Sequence, residues 1–365
     1  MNRSEIRLKF RIMLLLLISL GILAGCIKED VTDCVEEDST GVKIHYYYIL
    51  NPYTTEEREV NLFGSDVHKM NIYIFDENGV FLKDTLINEP EQLEDDNEVF
   101  LPLSPGKYTL VSWGGSKTLG SMNDSYEVVD ARDPADLSSF LSYLTPGSTT
   151  LDKFRLILKD DEPQNITNVK AINMPANLYY GQYLNVEVVP ENIRRYESEV
   201  IKNTNQIRVK LGGLMNLPSV AQMRQAVRVM GDVPVNIFIT ARNSRYKYDN
   251  VIGEYARLVK YEQPYVILDA DTIQVTFTVL RLMEDDRESR VVIENDDLPS
   301  GRIVLDIIPA IISASTRVNS QRDLDKNDFY EIEINLNKNL SATVFIDGWQ
   351  YNIIYPGLQT SSYEK

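Results

Sequence analysis

Three carboxylate-rich stretches are where acid–base or metal chemistry could reside. Glu284-Asp285-Asp286-Arg287-Glu288 and Glu94-Asp95-Asp96 carry adjacent acids. Paired carboxylates do general acid–base work when burial separates their pKa values. Both runs fall between strand-like segments, so solvated loops are expected instead. Asp323-Leu324-Asp325-Lys326-Asn327-Asp328 places oxygen ligands at alternate positions, like the start of a calcium loop. Asp328 stands where such a loop needs its sixth-place glycine, and Ile334 where it needs its twelfth-place glutamate, so no calcium is expected. The chain has two histidines, His45 and His68, and no G-x-S-x-G, G-x-G-x-x-G or H-E-x-x-H. No catalytic, cofactor-binding or metal residue is assigned, and the expectation is a protein that is not an enzyme.

The chemistry with a defined sequence context is that of a thiol. Residues 1–25 open with Arg3, Arg7, Lys9 and Arg11, continue as an apolar run from Ile12 to Leu23, and end in Ala24-Gly25 before Cys26. The first two parts are those of a secretory signal. The run is too short for a helix that must cross about 30 Å of hydrocarbon. The ending resembles a bacterial lipobox, which implies that Cys26 becomes the mature N-terminus and carries acyl chains such as palmitate. Ile27-Lys28-Glu29-Asp30 resembles the signal that exports some lipoproteins to the outer face of the outer membrane. Cys34 then has no partner in the chain, and is either a free thiol or paired with another chain.

Removing residues 1–25, which hold four basic residues and Glu5, takes the formal net charge from −17 to −20. Such a body repels nucleic acid, whose phosphates need Lys and Arg, and has no polybasic grip on anionic lipid. Attachment to the membrane is therefore expected through the lipid alone, with residues 26–40 as an acidic tether.

From Gly41 the pattern becomes short segments of period-two alternation, the mark of strands with one buried face. These are Val42–Leu50, Val67–Phe75, Val80–Ile87, Val99–Leu103, Lys107–Trp113, Phe154–Leu158, Ala171–Met174 and Leu184–Val188. Asn78-Gly79 predicts a hairpin turn with positive φ angles. Asp133–Leu144 predicts a helix with Leu137, Phe140, Leu141 and Leu144 on one stripe. Pro190–Ser198 is polar and opens with proline, and predicts a linker. After it come a short helix within Ser219–Met230 and strands at Ile207–Leu211, Val235–Ile239, Ile273–Leu282, Arg290–Glu294, Ile303–Ile307, Tyr330–Leu336 and Ala342–Ile346. The fold class expected is all-β: two tandem antiparallel β-sandwich domains with Greek-key connections, 41–195 and 196–365, with short helical insertions.

The chain resembles the FimB-type fimbrial anchor family, lipoproteins at the base of type V pili. The resemblance rests on Cys26-Ile27-Lys28-Glu29-Asp30 followed by Cys34, and on Val67–Gly79 ending in an Asp-x-x-Gly turn. It rests also on Pro105-Gly106-Lys107-Tyr108 leading to Trp113-Gly114-Gly115, Tyr180-Gly181, Asn243–Asn250, Leu280-Arg281-Leu282 and Gly348-Trp349, in that order. It implies transthyretin-like sandwiches, no catalysis, and an outer-membrane location, surface-exposed at the base of the pilus. It also implies a role in holding and limiting the length of the pilus, with the shaft pilin as partner, joined by strand exchange. Two elements could be exchanged: the stretch Tyr351–Tyr355, otherwise the last strand of the second domain, and the first strand, Val42–Leu50.

Asp84-Thr85-Leu86 and Asp271-Thr272-Ile273 resemble a short O-glycosylation motif but are equally strand edges. Arg194-Arg195 is either a maturation protease site or an ordinary basic pair in a linker. A rival reading is a surface lipoprotein that captures carbohydrate; its 21 tyrosines would then cluster on one exposed face. A secreted hydrolase would need a convergent polar constellation, and the sequence has none.

Overall fold

The computed structural model describes residues 40–88, 93, 98–115, 125–131, 142–159, 169–171, 175–226, 233–253, 256–315 and 318–354. Cys26, Cys34, the signal and most of the tether lie outside them, as do Glu94-Asp95-Asp96 and the greater part of the helix expected at Asp133–Leu144.

The first half contains β1 (Gly41–Tyr47), α1 (Phe63–Asp66), β2 (Lys69–Asp76), β3 (Phe81–Ile87), β4 (Glu98–Pro102) and β5 (Gly106–Gly115). It continues with β6 (Tyr126–Asp130), β7 (Phe154–Leu158), β8 (Val169–Ala171), β9 (Leu178–Val188) and β10 (Arg194–Lys202). The second half opens with β11 (Thr204–Gly212), a 3-10 turn, α2 (Pro218–Ala226), β12 (Asn236–Ala241), β13 (Arg245–Lys247), β14 (Val259–Glu262) and β15 (Val266–Ile267). Then come β16 (Ile273–Leu280), β17 (Arg290–Glu294), β18 (Arg302–Asp306), α3 (Ile307–Ala314), α4 (Gln321–Lys326), β19 (Phe329–Leu336), β20 (Ala342–Ile346) and β21 (Trp349–Ile354).

The chain is all-β, built as two sandwiches. The first has a seven-stranded sheet in the order β3-β2-β5-β9-β10-β1-β4. β10 joins its two layers, since residues 194–199 pair with β1 and residues 200–202 with β9. The second sandwich faces a six-stranded sheet, β15-β16-β11-β19-β20-β21, with a five-stranded one, β18-β17-β12-β14-β8. Most pairs are antiparallel, but β1 runs parallel to β10, β11 to β19 and β14 to β8.

Two expectations are corrected. The segment read as a linker, Pro190–Ser198, runs into β10, a strand paired with β1 over residues 194–199 and with β9 over residues 200–202; the chain passes from the first sheet to the second at Asn203. The halves are also not separate in the sheet hydrogen-bonding. β8 of the first half pairs with β14 and extends a sheet of the second, while β13 of the second half pairs with β7 and extends the β6–β7 sheet of the first.

Alternation accounts for the packing. On β2, Met70, Ile72 and Ile74 enter a core with Val42, Ile44 and Tyr46. Tyr73 and Phe75 point the opposite way into a second core, with Val111, Trp113, Tyr180 and the second sandwich's Ile207 and Val209. The sheet is thus buried on both faces, not one.

Turn chemistry holds the strand ends. Gly79 takes φ +72° and donates to Asp76 O, while Asn78 stays at negative φ and its amide donates to the Asp76 side chain. The turn is closed by a left-handed glycine alone, and is not a two-residue turn with both angles positive. At the end of β11, Gly213 takes φ +74°, and a Cβ there would lie 2.2 Å from Leu336 O.

Candidate functional site

The polar residues converge where the two sandwiches meet. β1 and β10 end there, β9 begins there, and so do β11 and β19 of the second sandwich. Asn203 donates to Leu178 O at 2.6 Å and accepts from the Arg281 amide at 2.9 Å, tying β9, β11 and β16 together. Asp328, just before β19, accepts from Lys202 Nζ at 2.8 Å and from the Tyr48 hydroxyl at 3.2 Å. Burial pushes the Asp328 carboxyl above its ordinary range, against the pull of the Lys202 ammonium. Burial, reinforced by the Asp328 charge, raises the Tyr48 phenol. Nearby, Arg322 reaches across to Glu199 at 3.1 Å.

A second group surrounds Asn250, held at φ +61°. Its side-chain amide exchanges hydrogen bonds with that of Asn203, at 2.5 and 2.9 Å. Its carbonyl accepts from Arg281 at 3.1 Å. Arg281 is buried and grips Asp325 through two bonds of 2.6 Å. Such a two-pronged pair in a dry setting fixes geometry more than it adds stability. Tyr180 donates to Tyr248 O at 2.7 Å, and its ring packs 4.9 Å from that of Trp113. The sequence pieces Trp113-Gly114-Gly115, Tyr180-Gly181, Asn243–Asn250 and Leu280-Arg281-Leu282 thus gather around one junction.

The acidic stretches have structural uses. The segment 323–328 spans α4 and its exit: Asp323 accepts from Ser320 and Asn319 at the helix start, Asp325 binds Arg281, and Asp328 binds Lys202. Its carboxylates therefore face separate partners. In the run 284–288, Asp286 accepts from the Glu288 amide and the Ser289 hydroxyl, and Glu288 takes a two-pronged bond from Arg242. Among the described residues, no group of three or more His, Cys, Asp or Glu could hold a metal ion.

Arg194-Arg195 is not in a linker. It lies in β10, with Arg194 paired to Glu187 and Arg195 to Glu98. Asp84-Thr85-Leu86 lies on β3, a sheet edge, and Asp271-Thr272 in the turn before β16, where Asp271 accepts from the Met215 amide. Tyrosines populate the core: Tyr46, Tyr48, Tyr179, Tyr246, Tyr261 and Tyr330 are fully buried. An open cleft of about 740 Å³ beside β12, β17 and β18 is lined by polar residues including Asn236, Glu294 and Arg302, with no aromatic ring. Neither observation favours sugar capture.

The two elements expected to be exchangeable differ sharply. β1 is hydrogen-bonded on both sides, to β10 and to β4. β21 is an edge strand, paired with β20 alone among the described residues, and its Trp349 is 70% exposed.

The fold and junction define a class: an all-β chain of two interlocked sandwiches whose buried polar groups serve architecture. A model of the family "Mfa2: Fimbrillin-A associated anchor proteins Mfa1 and Mfa2" matches residues 32–355, and the chain belongs to that family. It is 23% identical over 309 residues to the minor fimbrium anchoring subunit Mfa2 of Porphyromonas gingivalis, covering 82% of this chain and 79% of the relative. The fold is similar to the solved fimbrial anchor protein Mfa2 of that organism (TM-score 0.62, 20% identity, 86% of this chain and 98% of the other). It is also similar to a putative polysaccharide binding protein of Bacteroides thetaiotaomicron (TM-score 0.65, 21% identity, 88% and 99%).

Proposed function

We propose that this chain is an outer-membrane lipoprotein that holds a pilus at the cell surface and limits its length. Acyl chains on Cys26 sit in the bilayer, at about 0.8 kcal/mol per buried methylene. Residues 26–40 form the tether, the sandwiches form a rigid link, and the shaft pilin is the partner at the far end. The observation that carries this reading is the family match over residues 32–355, together with a relative named as a fimbrium anchoring subunit. We draw the division between the two domains at Asn203, with β6–β8 as an arm of the first laid on the second.

The geometry supports the same direction of assembly. Gly41 lies at the end of the first sandwich remote from the junction. β21 is antiparallel to β20 and so rises away from the junction, ending at Ile354, which is in register with Ala342 and hence with Leu336 at the distal end. Gly41 and the C-terminal end of the open edge therefore lie at opposite poles. An open main-chain edge suits strand exchange, in which ladder bonds supply affinity and alternate side-chain pockets supply register. The test is deletion of the gene: pili should appear in the medium, longer than normal. Cell-bound pili of unchanged length would overturn the reading. A chain ending at Gly348 should stay in the membrane fraction yet release pili; retained pili would exclude β21 as the joining strand.

A further inference from the structure

We propose that the chain is a tension-bearing element in which two of its parallel strand pairs, β1–β10 and β11–β19, act as shear clamps in series. The anchor reading supplies only the direction of the load; the clamp itself is a property of the strand connections.

A pull between the tether and the distal pole acts on β1 at its N-terminal end. The first sandwich is held to the second through the C-terminal end of β10, which continues through Asn203 into β11. β1 and β10 run parallel over six pairs, from Val42↔Arg194 to Tyr47↔Glu199. In a parallel pair those two points of pulling are opposite ends, so the force runs along the strands. All the ladder bonds then resist together. On its other side β1 pairs with β4 from Gly41↔Pro102 to His45↔Glu98, and sliding β1 out breaks these bonds in shear as well.

The second sandwich repeats the arrangement. β11 is pulled at its N-terminal end, from the junction. A load applied at the distal pole, in the turn after β19, pulls β19 at its C-terminal end. They run parallel over seven pairs, from Gln206↔Phe329 to Gly212↔Asn335. Between the clamps the load crosses the junction, where Lys202, Tyr48 and Asp328 meet and Arg322 bonds Glu199. The interlocked β7–β13 and β8–β14 pairs oppose separation of the halves.

Force spectroscopy on single molecules tests this, using the mature chain with Cys26→Ser and Cys34→Ser and a pair of new cysteines as handles. Thr40→Cys with Lys338→Cys, in the exposed turn after β19, loads both clamps in shear. Thr40→Cys with Asn192→Cys, in the turn before β10, pulls β1 and β10 from the same end and peels them one bond at a time. Forced rupture reports the barrier to unfolding, so at equal loading rate the first pair of handles should give a rupture force about two-fold or more above the second. The two proteins should melt at the same temperature, which shows that direction and not stability sets the difference. Equal forces in the two directions would overturn the clamp. Pilus release on gene deletion would be untouched by that result, so the two readings fail separately.

Discussion

Lys202 and Asp328, 126 positions apart in sequence, meet at 2.8 Å across the junction, and the Tyr48 hydroxyl donates to the same carboxylate. The Asp328 carboxyl is nevertheless raised above its ordinary value of 3.8, because burial outweighs the lysine. A raised carboxyl binds its proton more readily folded than unfolded. The cost of its charge is thus present above the raised value and relieved as pH falls through it.

Two opposite outcomes follow for this pair. Asp328→Asn should leave stability at pH 7 unchanged or slightly higher, because the neutral side chain escapes the desolvation penalty. Lys202→Met strands the buried carboxylate and should cost about 1–3 kcal/mol. That loss should shrink as pH falls from 7 towards 4 and the carboxyl takes up its proton. Urea unfolding of the three proteins across this range checks both; an equal loss from the two substitutions would refute the assignment.

The start of α4 titrates in the other direction. Ser320 accepts from the Asp323 amide, and the Asp323 carboxylate accepts from the Asn319 amide and the Ser320 hydroxyl. These bonds lower the Asp323 pKa. Its contribution is therefore present above the ordinary value and lost as pH falls through the lowered one. Ser320→Ala should cost about 1 kcal/mol at neutral pH. Asp323→Asn should be destabilising at pH 7 and without effect well below pH 3.8, which thermal unfolding at the two pH values measures.

The shared core makes the halves one cooperative unit. Trp113 is fully buried, with Tyr180 at 4.9 Å and Tyr246 of the second half at 6.3 Å. Calorimetry should record a single transition, and Trp113→Ala should lower its free energy by about 3–5 kcal/mol. Two separate transitions, one of them indifferent to Trp113, would contradict the interlock.

Much of the fold was legible because its strands alternate cleanly and end in turn residues. The Val67–Phe75 pattern and the Asn78-Gly79 turn are a strand and its hairpin. β10 was hidden because Arg195, Glu197 and Glu199 alternate away from the face that buries Ser198 and Val200, and that face opens with Arg194, leaving Val200 as the main inward apolar signal. α3 was hidden because its first residue, Ile307, continues the apolar run of β18, and Pro309 is tolerated within the first helical turn. The junction was least legible. Asp328 and Tyr48 are 280 positions apart, and Asp325 finds Arg281 44 positions away, so no local pattern reports either bond. What the sequence did contain was the set of short motifs around Trp113, Tyr180, Asn250 and Arg281, whose common destination only the fold reveals.

The most direct test of the account replaces one atom. In cells carrying Cys26→Ser, the body should fold, cross the inner membrane and still join the pilus. Fractionation should then find pili in the medium, with this protein bound to them. Pili that stay with the outer-membrane fraction, with the Cys26→Ser protein among them, would contradict the claim that this chain is the lipid-held link between pilus and cell.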